Sequence, residues 1–237
     1  MQAERLTISK DLKTGYSECW LIRRNQRFIR FKIGNDLKLY VYAPKNASIE
    51  EIETALNKEA AGIPLLLKRK KVSLREDIKM LQAIMKLENE LGDDISYFEH
   101  LPKEEFEKRT EEFLPIITAK VEHYAPIVGV NYNQIIIDNN PQRYWGACSS
   151  TGDFRFIIAL RKVPDKLLDY IVVHELCHRL EFNHSKAFWA QVSRVIPDYK
   201  VREWQSQAYT YLFRHTEHLR NAMEKRVSEF YNSVKKK

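Results

Sequence analysis

Between Asp165 and Leu180 the chain carries a helix-length run in which Leu167, Leu168, Tyr170, Ile171, Val172, Val173, Leu176, Cys177 and Leu180 surround much of the helical circumference. A helix that is apolar on most sides belongs at the centre of a core, so the rest of the fold must pack around it. The same run contains His174, Glu175 and His178. Burying those three without partners is costly, and this conflict limits what the segment can be.

The conflict resolves if the polar residues share a ligand. His174 and His178 stand at i and i+4, on one helix face and one turn apart, so both imidazoles can grip one metal ion. Glu175 lies beside that face, where its carboxylate can reach a metal-bound water and deprotonate it. A third ligand would leave one coordination position open, the catalytic arrangement. Two residues compete for the role, His184 in Glu181-Phe182-Asn183-His184-Ser185 and Glu181 itself. A nitrogen-rich set favours His184, which requires the helix to break. Asn183 tolerates the left-handed conformation that such a turn wants, and Ser185 can cap the next helix. Phe188, Trp189, Val192 and Ile196 form that helix's packing stripe. Cys177 reads as a small core residue, and Cys148, with no Cys-x-x-Cys partner, as part of a packed loop. His100, His123, His215 and His218 read as surface histidines, and the aromatics between 199 and 213 as a packing stripe.

The remaining chain falls into textures. Residues 1–64 form a β-rich N-terminal subdomain. Phe28–Ile33 and Leu37–Tyr42 alternate around Gly34-Asn35-Asp36, which predicts a hairpin. Ser48 with Glu51 predicts a capping box. Residues 65–128 form a helical connecting segment interrupted at Gly92-Asp93-Asp94, with Phe106, Phe113, Ile116, Ile117, Lys120 and Val121 on its second half. Residues 129–204 form the catalytic core, with strands at 133–138 and 154–160 and Pro164 at a helix start. Residues 205–237 form a helical extension with a basic tail. The fold class expected is α+β. The 237 residues carry 39 basic and 32 acidic side chains, a net charge of +7. Short clusters at Lys68–Lys71 and Lys235–Lys237 permit weak contact with nucleic acid or nucleotides but do not demand it. No apolar run is long enough for a membrane span, and the first residues lack a secretory leader. Three scattered cysteines then predict a cytoplasmic protein with reduced thiols.

The runs RYWGACSSTGDFRF, DYIVVHELCHRLEFNHSKAFW and IPDY together resemble the YgjP-like (SprT-related) metallopeptidase family of zincins. The resemblance is close over 129–204, looser over the front, and ends near 205. Ala147 stands where the family usually has Ser, and Ile157 where it usually has Asn. The resemblance implies one Zn²⁺ per chain on His174, His178 and His184, with Glu175 as base. It also implies a small mixed sheet beside the active-site helix. Zincins align peptide substrates along an edge strand, and 154–160 is the expected one. Arg143, Trp145 and Tyr199 are the candidate substrate contacts. The function expected is zinc-dependent cleavage of a peptide or protein. The alternatives are a nucleoside triphosphate pyrophosphatase on the same site, weakened by the lack of a phosphate-cradling glycine loop, and a DNA-associated module with a structural metal.

Overall fold

The structure, a computed structural model, describes residues 3–8, 14, 16–91, 100–140, 144–213 and 217–235. It divides into two compact units, Met1–Gln82 with His218–Lys237, and Ala83–Glu217. The β-rich front and most of the C-terminal extension therefore fall in the first unit, and the segment 129–204 in the second.

The first unit holds a four-stranded sheet of order β1-β2-β4-β3, made of β1 (Glu4–Thr7), β2 (Glu18–Arg24), β3 (Arg30–Ile33) and β4 (Leu39–Pro44). β2 and β4 run parallel and the other pairs antiparallel. The expected hairpin is β3–β4, with Arg30 opposite Tyr42 and Ile33 opposite Leu39. Its turn is closed by Gly34 N–H donating to the Lys38 carbonyl at 3.0 Å, and the left-handed residue is Leu37 (φ 58°). Alternation sends Cys19, Leu21, Leu39, Val41 and Ala43 into a core with Ile52 and Leu56 of α1 (Ile49–Glu59). The Ser48–Glu51 capping box is formed in both directions. The Arg226 guanidinium forks onto the Asp77 carboxylate at 2.7 and 2.8 Å, tying α7 (Glu217–Lys235) to the first part of α2 (Ile63–Leu91). Lys68–Lys71 lie on α2; Lys236, Lys237 and the break at Gly92-Asp93-Asp94 lie outside the described residues.

In the second unit α3 (Lys103–Val128) buries Phe113, Ile117, Val121, Ala125 and Val128, while Ile116, expected on that stripe, is 51% exposed. Gly129 (φ 89°) ends the helix. A three-stranded sheet follows, order β5-β7-β6, from β5 (Ile135–Asp138), β6 (Gly146–Cys148) and β7 (Phe154–Ile157). β7 pairs parallel with β5 and antiparallel with β6. The strand expected over 154–160 stops at Ile157 and passes into a 3-10 helix, Ile158–Lys162. Alternation ends there because Ile157, Ile158, Ala159 and Leu160 are all buried, which a strand open on one face cannot provide.

α4 (Asp165–Cys177) is the buried helix, enclosed by α3, β6, α5 (Lys186–Val195) and α6 (Tyr199–Phe213). Lys120 of α3 bridges Asp165 and Asp169 of α4, 2.6 Å to each. Among the described residues no helix is long and apolar enough to cross a membrane.

Candidate metal centre

α4 ends at Cys177, so the chain turns just as His178 is reached. The turn does not use the expected device. Asn183 keeps a negative φ, and its side-chain and backbone oxygens accept from Ser185 N–H at 3.1 and 2.8 Å. That short bonded loop bends the chain without left-handed backbone. Ser185 then caps α5 through Phe188 N–H, as expected.

The result gathers three imidazoles. Their ring centroids are 5.0 Å apart for His174–His178, 4.9 Å for His174–His184 and 4.9 Å for His178–His184. One nitrogen from each lies within 4.8 Å of the others. His184 Nε2 and His174 Nε2 approach to 3.0 Å. Phe188 forms the base of this triangle, fully buried, with its ring 4.9, 4.6 and 4.8 Å from His174, His178 and His184. Trp189 stacks on His184 at 5.7 Å, and Tyr199 stacks on Trp189 at 5.2 Å.

These nitrogens are suited to a cation. Burial, then the neighbouring imidazoles, push His174 down to about 3, and burial lowers His178, so both rings are neutral as ligands must be. His178 Nδ1 faces the Glu181 carbonyl at 3.1 Å, which orients the ring and leaves Nε2 for a ligand. The His174 Nδ1 is buried with no partner among the described residues. Glu181, the competing third ligand, brings a carbonyl to His178, and its carboxylate is not in the cluster. Cys148 and Cys177, each pushed up to about 11 chiefly by burial, are thiols outside it.

Glu175 is 6% exposed, and burial pushes its carboxyl up to about 8. Beside it opens a cavity of about 250 Å³ lined by Tyr144, Trp145, Gly146, Tyr170, Ile171, His174, Glu175 and Ser206. Trp145 is thus in the cavity wall, its indole N–H donating to Thr210 Oγ1 at 2.9 Å. Tyr199 packs on Trp189 and does not line the cavity. Arg143 lies outside the described residues. Sequence reasoning does not place five of the wall residues, Tyr144, Gly146, Tyr170, Ile171 and Ser206, at the site. Tyr170 stands one turn before His174 on the same helix face, an i−4 spacing that could have flagged it, with ring centroids 5.8 Å apart. Gly146 falls within the family-like run that begins Arg143-Tyr144-Trp145, but nothing in that run ties it to Glu175.

The strand expected to align substrate is corrected. β7 is paired on both sides, so it has no free edge. β6 does, and it borders the cavity through Gly146. Ile157 N–H donates to the Trp145 carbonyl and Ser149 N–H to the Asp153 carbonyl, so 145, 147 and 149 bond inward. The alternation of an antiparallel ladder leaves the N–H and C=O of Gly146 and Cys148 facing outward.

A family model described as YgjP-like, metallopeptidase domain, matches residues 68–207. The crystal structure of the metallopeptidase zymogen of Pyrococcus abyssi abylysin is similar at 24% identity and a TM-score of 0.36, covering 40% of this chain and 94% of that one. No curated protein matches the chain. With the family model spanning more than half of its residues, this chain belongs to the YgjP-like metallopeptidases.

Proposed function

We propose that the chain is a zinc-dependent peptidase in which Glu175 is the general base and the edge of β6 holds the substrate. The observation that carries this reading is the meeting of three imidazoles with a buried carboxyl beside a strand edge open for pairing. Three nitrogen donors suit zinc. Nitrogens held at ~2.0–2.1 Å around a tetrahedral zinc stand ~3.3–3.4 Å apart, close to the 3.0 Å between His174 and His184. When bound, zinc supplies Lewis acidity, which acidifies water and polarises a carbonyl.

This chain's own residues do the rest. An extended peptide adds to β6 through the outward N–H and C=O groups of Gly146 and Cys148. Glu175 accepts a proton from the attacking water and delivers it to the leaving amine. Burial raises the carboxyl, and a neighbouring cation would favour its ionised form, the form a general base needs. Phosphoanhydride hydrolysis is the weaker reading, because among the described residues lining the cavity there is no Lys or Arg to receive a phosphate. The test is to incubate zinc-loaded protein with a peptide library and a nucleotide panel, each beside Glu175→Gln. Peptide cleavage lost in that variant is expected. Nucleotide hydrolysis lost in it, with every peptide intact, would overturn the assignment.

A further inference from the structure

Gly146 lies directly against Glu175. A Cβ built on it would stand 2.6 Å from Glu175 Cγ and 2.9 Å from both Cδ and Oε1, distances that real Cβ contacts do not reach. The need is for space and not for backbone freedom. Among the described glycines only Gly129 and Gly152 have positive φ, so any residue could adopt the Gly146 backbone. A methyl here leaves two outcomes, movement of the strand or movement of the carboxyl. β6 is fixed by its ladder to β7, whereas the Glu175 side chain ends in rotatable bonds. The carboxyl yields.

We propose that Gly146 is a positioning residue. Its missing side chain lets the Glu175 side chain sit against the face of β6 at this residue, and its outward N–H and C=O register the substrate main chain along the adjoining edge. One residue thereby couples where the peptide lies to where the base stands. The inference rests on the peptidase reading and adds to it a determinant outside the HExxH helix. The contact itself has consequences that need no catalysis. A methyl at position 146 should crowd the unit while Glu175 is present. Once Glu175→Ala has cleared the space, the same methyl should be harmless or should fill it.

The experiment uses the full chain as Gly146→Ala, Glu175→Ala and the double variant. With zinc bound, Gly146→Ala should lower kcat about 100-fold, the loss typical of a ~1 Å misplacement. KM and zinc affinity should stay within about threefold, since the backbone of β6 and the three imidazoles are untouched. In melts of the metal-free protein, Gly146→Ala should lower Tm by about 3–6 °C when Glu175 is intact. In the Glu175→Ala background the same substitution should leave Tm unchanged or raise it. A kcat within twofold of the parent overturns the proposal. So does an equal Tm loss in both backgrounds, which would mean the methyl meets something other than Glu175. If the parent cleaves no peptide, the peptidase reading fails, and the change of sign in the melts still decides whether Gly146 sets Glu175.

Discussion

The two small sheets make an instructive pair. In the first unit, alternation puts Leu21, Leu39 and Val41 into the core and Trp20, Tyr40 and Tyr42 on the opposite face. There Tyr40 Oη donates to Asp36 at 2.9 Å and Arg24 lies over the Tyr42 ring, while Lys38 lies over the ring of Trp20, whose buried Nε1 has no partner among the described residues. In the second unit, β6 packs on a helix that is buried nearly all round yet carries Glu175 and the histidines. His174 Nδ1 has no partner among the described residues, and the Glu175 carboxyl is held far from its ordinary titration range. Both units bury a nitrogen with no partner among the described residues, Trp20 Nε1 in the first and His174 Nδ1 in the second. The second unit sets its own beside two more imidazoles and a buried carboxyl, and that place is the candidate site.

The largest effects should separate the units by what is lost along with stability. Phe188→Ala removes the ring on which all three imidazoles rest and should cost ~3–5 kcal/mol. Zinc affinity should fall with it, measured by denaturation and metal titration of one preparation. Leu39→Ala, equally buried but in the first unit, should cost ~2–5 kcal/mol and leave zinc affinity unchanged. If both variants bind zinc as the parent does, the role of Phe188 beneath the imidazoles is wrong.

A smaller effect concerns pH in the metal-free protein. The Glu175 carboxyl holds its proton more tightly folded, at about 8, than at its ordinary 4.5. Its contribution to stability is full below about 4.5 and is lost as pH rises through 8. His174 has the opposite sign. Held near 3 against an ordinary 6.5, it contributes fully above 6.5 and loses that contribution as pH falls toward 3. Glu175→Gln should therefore melt above the parent at pH 9 and show no such gain at pH 5. A constant difference across that range would show that burial does not control this carboxyl.

The smallest effect belongs to the first unit. Ser48→Ala removes one half of the capping box and should cost ~1 kcal/mol in urea unfolding, with hydrolysis unaffected.

What the sequence made readable was local. The alternation from Phe28 to Tyr42 carries the hairpin, Ser48 and Glu51 carry the cap, and the spacing of His174, His178 and His184 carries the triangle. Its failures share a cause. Strand 154–160 read as an edge because sheet order is set by contacts between β5, β6 and β7, which no single segment encodes. Phe188 read as ordinary core because its partners come from α4 and the turn after it. Gly146 stood in a family-like run, but its role was not legible there because its reason lies on Glu175, in a different element far along the chain. Asn183 was a near miss: the right residue for a turn, acting through its side chain and not through left-handed backbone.

The central claim is that His174, His178 and His184 form one metal centre that Glu181 supports only from outside. Zinc titration of His184→Ala and Glu181→Ala under one set of conditions tests it most directly. Loss of an outer group costs ~10–100-fold in affinity at most, and loss of a ligand more. Glu181 acts on His178 through its backbone carbonyl, which Glu181→Ala retains, so that variant should bind zinc nearly as the parent does. His184→Ala should lose more than about 100-fold. Zinc lost by Glu181→Ala and kept by His184→Ala would contradict the account and make the centre one of two histidines and a glutamate.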